Sequence, residues 1–462
     1  WSYLLYVNSL SKYYYLFTLL FSVLTQPHPK VMFFVILLMV FTGLFAGQSQ
    51  WLDGLAKSLG YENVYHYAVI IDAGSSGSRV LAYKFRVPFT LFGPANLDLV
   101  EEYFEQSKPG LSSYVDDPLK GADTIVQLIK RAEHLIPAEA RTASPLVVRA
   151  TAGLRLLPTE KADLLIKHVA DAVAKLGFSV GANGVEIMEG SDEGIFIWYT
   201  INLLHNLMGG GGATMAALDL GGGSTQITYQ LAAAEASDYP ANDQFVVPAG
   251  VNITLYTHSY LGLGLFAARL GILRLEANDS ATTAFTSVCV DPIVQNEPWN
   301  YANQQFTVSG APRAGLKREA IFARCLDLVR RYTLSAMDWR PAGPPRGSVA
   351  AMSYFYDIAA DAGIIDVMSG GTVRVEQYRR FALKACAAQN VDQPFACLDL
   401  AYVLALLHDG YNMADIVYSF MTRFHKIDDH KIVIGFTVCY CYLFITLPSY
   451  QQVRWRSNAC LV

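Results

Sequence analysis

The chain has 462 residues, enough for two or three domains, with 52% hydrophobic residues, 16% charged residues and a net charge of −5. That balance describes a globular protein carrying extra apolar segments. It excludes a basic nucleic-acid-binding domain, and no block of like charge marks a disordered tail.

The apolar excess lies at the two ends. Residues 31–47 read VMFFVILLMVFTGLFAG without a charge. This run is short for a membrane span and long for the core of a signal peptide, and Ala46 and Gly47 offer a cleavage site. Residues 32–47 are therefore expected to be a signal peptide or a signal anchor to a membrane. Residues 1–31 precede the first methionine, Met32, and read as an upstream extension.

From about residue 65, strands and helices alternate, which predicts an α/β protein with mixed sheets. The run Tyr67–Ile71 has strand character and leads into Asp72, Gly74, Ser75, Ser76, Gly77, Ser78 and Arg79. Val80–Phe85 reads as the returning strand of a hairpin. Gly121–Leu135 reads as an amphipathic helix and Pro145–Ala150 as a buried strand. Glu160–Leu176 has helical periodicity, with Leu164, Leu165, His168 and Val169 on one face. Ser191 is placed to cap an apolar helix running to Leu207. The glycines Gly209–Gly212 then read as a flexible connection between two halves. The second half opens as the first does: Met215–Leu218, then Asp219, Gly221, Gly222, Gly223, Ser224, Thr225 and Gln226. Later helices are expected at Lys317–Tyr332, Val375–Ala388 and Asp399–Leu407, with a loop at Pro341–Pro345.

The repeated strand–Asp–glycine loop is the chemical signal. Small residues let backbone N–H groups wrap a phosphate, and a carboxylate at each strand end could hold a hard cation, Mg2+ or Ca2+, through waters. Two copies imply two related halves facing one nucleotide. Glu193 falls in the first turn of the helix capped by Ser191, where the positive helix end favours its ionised form. Read alone, Asp192 and Glu193 simply complement that dipole; a phosphate hydrolase would use such a carboxylate to deprotonate water.

Seven cysteines bear on the compartment. Four of them fit no compact zinc spacing, and with a secretory signal they read as two disulfides, Cys289–Cys325 and Cys386–Cys397. The alternative is four free thiols in a cytosolic chain. Asn252-Ile253-Thr254 and Asn278-Asp279-Ser280 are glycosylation sequons compatible with an oxidising lumen.

Five segments in order resemble the apyrase family of nucleoside triphosphate diphosphohydrolases and guanosine diphosphatases: DAGSSGSR at Asp72, ATAGLRLL at Ala150, GSDEGIFIWYTIN at Gly190, LDLGGGSTQIT at Leu218 and MSYFYD at Met352. KPGLSSYVDDP from Lys108, LYTHSYLGLGL from Leu255 and FACLDLAYVLALLHDGY from Phe395 are similar to the lumenal or secreted nucleoside-diphosphatase branch. The resemblance covers about residues 66–430. It implies two actin/Hsp70-like (RNase H-like) lobes, residues 65–208 and 213–400, with a nucleotide in the cleft between them and a helical return toward lobe I at 401–435. It implies hydrolysis of the terminal phosphate of UDP or GDP, with ATP as a further substrate in the broader apyrases. A binding protein of actin-like architecture without catalysis is the reading from another class.

The resemblance also assigns roles. Glu193 matches the general base. Asp72 and Asp219 match the carboxylates holding the metal through water. Ser75, Ser76, Gly77 and Ser78 match the first phosphate loop, and Gly221, Gly222, Gly223 and Ser224 the second. Ser224 and Gln226 match residues positioning the attacking water, Thr151 faces the water or metal shell, and Arg155 braces its motif. Tyr354 and Tyr356 fall where the family contacts the base, and His258 is read as structural. The implied compartment is the ER or Golgi lumen, or the outside of the cell. Lys426–Gly435 begins like the family's closing Ser-Trp-Ala-Leu-Gly-Ala region and then departs, and 436–462 reads as an intron read-through or frameshift, or else as a C-terminal anchor.

Overall fold

The computed structural model describes residues 56–87, 98–205, 213–248 and 252–413, short strands at 417–420, 424–427 and 430–433, and positions 54, 89, 207 and 208. The upstream extension, the 32–47 signal segment, the Gly209–Gly212 connection and the 436–462 tail lie outside the described residues. Among those described, no helix is long and apolar enough to cross a membrane. The chain divides into two compact units, residues 1–66 with 85–98, and residues 67–84 with 99–462. In the first, Arg86 pairs with Asp98 and Tyr61 packs on Phe89. The second holds every candidate site residue.

Two sheets carry most of the strands of this larger unit. The first has five strands: β1 (Val64–Ala73), β2 (Ser78–Val87), β3 (Asp98–Ser107), β4 (Leu146–Ala150) and β5 (Val185–Ile187), in the order β3-β2-β1-β4-β5. Residues 67–71 of β1 and all of β4 are buried, as expected for parallel strands covered on both faces. Their parallel register sets Asp72 beside Arg149 and Ala73 beside Ala150, so the loop after Asp72 and the turn at Thr151 leave from one edge.

Helices α1 (Pro118–Ala132), α2 (Ala152–Arg155), α3 (Thr159–Val173) and α4 (Gly190–Leu204) follow in this half. Helix α1 starts three residues before the expected Gly121, because the Asp117 side chain accepts from Lys120 N at 3.2 Å and proline is favoured at the first helical turn. In α3 the buried stripe is Ala162, Leu165, Val169 and Val173; Leu164, expected on it, is 49% exposed. Helix α4 is capped at Glu189 rather than Ser191 and ends at Leu204 rather than Leu207.

The second sheet has seven strands: β6 (Ala216–Leu220), β7 (Ser224–Gln230), β8 (Gln244–Pro248), β9 (Asn252–Leu261), β13 (Val349–Ser353), β14 (Gly371–Arg374) and β15 (Val417–Phe420), in the order β14-β15-β13-β6-β7-β9-β8. It is mixed: β13 runs parallel to β6 and β15, while β6, β7, β9 and β8 pair antiparallel. The helical return expected over 401–435 takes another form, since Val417–Phe420 joins this sheet as a strand beside β13. Strands β10 (Ala284–Ser287), β11 (Glu297–Tyr301) and β12 (Gln304–Gly310) form a small separate sheet.

Helices α5 (Leu265–Ala277), α6 (Arg318–Ala336), α7 (Tyr354–Asp361), α8 (Val375–Ala387) and α9 (Ala396–Ala405) pack with these strands around one apolar cluster that includes Leu218, Leu265, Val329, Phe355 and Tyr402. Cys289–Cys325 ties the end of β10 to α6, and Cys386–Cys397 ties α8 to α9. The four cysteines are thus two disulfides and not free thiols.

Candidate active site

The second phosphate loop is shaped by its neighbours. The carbonyls of Gly221 and Gly222 accept from Leu265, Phe266 and Ala267 in the first turn of α5, and that of Gly223 accepts from Gly262. With the carbonyls committed to that side, the Gly222 and Gly223 N–H groups have no acceptor among the described residues. The first loop is built in the same sense. Gly74 N donates to Gly77 O at 3.0 Å, while the amides of Ser75, Ser76 and Gly77 donate to nothing described. Ser78 Oγ is buried without a partner.

The two loops face each other closely. A Cβ placed on Gly222 would lie 2.6 Å from Ser75 Oγ, so a side chain there would push the Ser75 hydroxyl aside. Five amides without a described acceptor and two hydroxyl-bearing turns form a cradle of the kind that suits a phosphate chain.

Three carboxylates surround the cradle. Asp72, next to last in β1, accepts from Arg79 Nη1 at 2.9 Å. Asp219, within β6, accepts from Ser353 Oγ at 2.6 Å. Burial pushes Asp219 up to about 6, with the Ser353 hydrogen bond acting against that and the Asp72 charge adding to it. Glu193 is 7% exposed and burial pushes it up to about 7; Arg155 opposes this, while Asp219 and Asp72 add to it.

Glu193 Oε2 is held from two sides. Arg155, at the end of α2, ion-pairs with it and reaches Ser224 Oγ at 3.3 Å. Gln226 Nε2 donates to Glu193 Oε2 at 3.0 Å, to Ser224 Oγ at 2.8 Å and to Ser259 Oγ at 2.8 Å. Gln226 is 2% exposed, yet its Oε1 has no donor. An orphaned buried acceptor beside a buried carboxylate is a place for a water molecule. Thr151 caps α2 at the same edge, its N–H bonded to Ala73 O at 3.3 Å.

Of the sequence-selected residues, Asp72, Ser75, Ser76, Gly77, Ser78, Thr151, Arg155, Glu193, Asp219, Gly221, Gly222, Gly223, Ser224 and Gln226 lie at this site. Tyr356 does not join them. Its ring is 6% exposed in the core and its hydroxyl donates to Val367 O at 2.8 Å, leaving no face for a base. Tyr354, on the other side of the first turn of α7, packs with its ring 5.1 Å from that of Phe266. His258 bonds Asp243 at 2.7 Å and Asp338 at 3.0 Å and touches no site residue. Ser353, Ser259 and Phe266 were not legible as site residues. Ser353 and Ser259 lie within the quoted motifs, but only strand register brings them to Asp219 and Gln226.

A cavity of about 480 Å³ lies between α5, α7, α8 and α9, with Arg269, Ile358, Phe381, Phe395 and Asp399 among its walls. None of the sequence-selected residues lines it.

Two facing glycine-rich loops, each led by an aspartate, with one buried glutamate beside them, lie in an α/β fold of mixed sheets. The model of the GDA1/CD39 (nucleoside phosphatase) family matches residues 59–332, and the chain belongs to that family. It is 37% identical over 384 residues to the nucleoside diphosphate phosphatase ENTPD5 of Homo sapiens, covering 80% of this chain and 86% of that one. It is 32% identical over 374 residues to the nucleoside-diphosphatase uda-1 of Caenorhabditis elegans, covering 76% of each. The nucleoside triphosphate hydrolases of Neospora caninum share the fold, with a TM-score of 0.59 at 14% identity over 86% of this chain and 95% of theirs.

Proposed function

We propose that this chain removes the terminal phosphate from nucleoside diphosphates, UDP and GDP, giving the monophosphate and inorganic phosphate. The observation that carries the reading is the Glu193–Gln226 arrangement: a buried carboxylate and a buried, unsatisfied amide oxygen beside free loop amides. The relatives' names support the choice of diphosphates.

The amides of Ser75, Ser76, Gly77, Gly222 and Gly223 bind the phosphate oxygens, and the Ser75, Ser76 and Ser78 hydroxyls add donors. Gln226 Oε1 accepts one hydrogen of a water, which Glu193 deprotonates as the water attacks phosphorus in line. Arg155, Gln226 and Ser224 keep the Glu193 carboxylate oriented for this. Thr151 adds a hydroxyl at the same edge. Positioning and charge neutralisation supply most of the rate in such reactions.

Asp72 and Asp219 suit a divalent cation, Mg2+ or Ca2+. Each raises the cost of ionising Glu193, and Asp72 does the same to Asp219, so the site carries uncompensated negative charge. The three carboxylates do not converge within direct ligating distance of one another, which fits ligation through waters. Bound there, the cation would neutralise phosphate charge. The base is proposed to lie against the Phe266–Tyr354 pair.

Each large sheet with its helices is proposed as one lobe, 65–208 and 213–400. Two disulfides, the exposed sequons at Asn252 and Asn278 and the apolar 31–47 run support a place in the ER or Golgi lumen or outside the cell, with that run as signal or anchor.

Phosphate release from UDP, GDP and ATP, with and without divalent cation, beside Glu193→Gln, tests the reading. Cation-dependent release favouring diphosphates and lost in the variant is expected. Faster release from ATP would make the protein a broad apyrase, and binding without release an actin-like binding protein.

A further inference from the structure

We propose that Ser259 is a positioning residue for the hydrolysis, acting through Gln226. The inference rests on the function proposed above. Ser259 lies on β9 opposite Gln226 on β7, and its Oγ accepts from Gln226 Nε2 at 2.8 Å. Gln226 Nε2 has two hydrogens and three acceptors: Glu193 Oε2, Ser224 Oγ and Ser259 Oγ. Ser259 lies off the second phosphate loop and makes no contact with Glu193.

Its effect comes from the geometry of the amide. The side-chain amide is planar, so fixing the two N–H directions fixes the direction of Oε1. Glu193 Oε2 and Ser224 Oγ are also bonded by Arg155, whereas Ser259 stands apart from that group on β9. Ser259, paired with Gln226 within the antiparallel ladder of β7 and β9, is the fixed point. It sets the rotation of the amide about its last torsion, a soft one in glutamine. The unpartnered Oε1 is then held in one direction, with its lone pairs left for a water hydrogen.

The packing around Ser259 is built for close approach. A Cβ on Gly190 would collide with Ser259 and with Arg155 Nη1, and a Cβ on Gly194 with the hydroxyls of Thr257 and Thr228. Those two hydroxyls bond each other at 2.6 Å, on the same sheet face as Ser259 and Gln226. Helix α4 therefore sits directly on a polar strip of β7 and β9 through two glycines one turn apart, with Glu193 between them. The strip holds helix and amide together, and Ser259 is its member that bonds Gln226 directly.

The test is a mutant cycle on the full chain with UDP and Mg2+, measuring kcat, KM and melting temperature for wild type, Ser259→Ala, Gln226→Ala and the double variant. Ser259→Ala should lower kcat about 10- to 100-fold, the scale of a misplaced catalytic group, with KM within about twofold of wild type. In the Gln226→Ala background the same change should cost less than about twofold, because its target is gone. An unchanged kcat in Ser259→Ala, or equal losses in both backgrounds, overturns the inference while leaving the diphosphatase reading intact. Wild-type protein that releases no phosphate overturns both.

Discussion

Ser353 Oγ donates to Asp219 Oδ1 at 2.6 Å from a residue whose backbone sits at φ 56°. A serine in that region is strained, and the strain is held where β13 ends opposite Leu220 and α7 begins. The hydrogen bond opposes burial and keeps Asp219 closer to ionised. Ser353→Ala should therefore weaken divalent-cation activation, raising the half-maximal concentration about tenfold, the lower end for a hydrogen bond to a charged group. Ser353→Gly should share that defect yet be more stable than the alanine variant by about 1 kcal/mol, because glycine accepts the backbone. A cation titration that superimposes on wild type for both variants would remove Ser353 from the site.

In the proposed mechanism, with Glu193 as general base, Arg155 sets the acid limb. A general base works only when ionised, and burial pushes Glu193 up to about 7 despite the Arg155 charge. Activity should thus rise as pH increases through the Glu193 titration. Removing the cation in Arg155→Met leaves burial less opposed, so the limb should move to higher pH and the defect should be larger at pH 6 than at pH 9. The check is kcat/KM against pH at saturating cation for both proteins. A limb that stays in place, or moves to lower pH, contradicts the assigned contact.

Much of this site is visible in the sequence because it is local. The two loops place an aspartate, glycines and hydroxyls within seven or eight consecutive residues, and short apolar strands must precede them. Glu193 is visible as a first-turn carboxylate, but its partners are not. Arg155 is 38 residues away and Ser353 is 134 from Asp219, and these pairs form only when parallel strands bring motif ends to one edge. Tyr354 and Tyr356 look equivalent in MSYFYD, yet the helical turn sends one toward Phe266 and the other into the core. In α3 the sequence offers both Leu164 and Leu165, and only packing selects Leu165.

Glu193 also carries a cost for the fold. Its unfolded-state value is the ordinary 4.5 and its folded value is about 7, so the ionised form is disfavoured in the native state. The penalty is absent below the unfolded value, grows as pH rises through the interval and is fully present above about 7. It amounts to about 3 kcal/mol at pH 8 in metal-free protein, at 1.36 kcal/mol per pH unit. Glu193→Gln, inactive by the mechanism, should be more stable than wild type at pH 8 in chelator and about equal at pH 4.5. Melting curves at the two pH values check this. Equal stability at pH 8 would mean that the carboxylate is well compensated in the fold.

The Arg269–Asp399 pair makes a different kind of prediction. Arg269 Nε donates to Asp399 Oδ1 at 2.7 Å and Nη2 to Oδ2, with side-chain exposures of 14% and 10%. Its guanidinium lies 4.6 Å from the Phe395 ring centre and 5.1 Å from that of Phe266, one turn along α5 from the residues that hold the second phosphate loop. A buried charge left alone costs more than the pair contributes. Asp399→Ala should lose about 3–5 kcal/mol, whereas Arg269→Met with Asp399→Leu should be near neutral. Since Phe266 N bonds Gly222 O, loosening α5 in the single variant should also raise the KM for UDP, and the double variant should restore it. Urea unfolding midpoints and KM values for wild type and both variants decide the matter. Equal destabilisation in single and double variants would show that the pair acts through its packing on Phe266 and Phe395 and not through its charge.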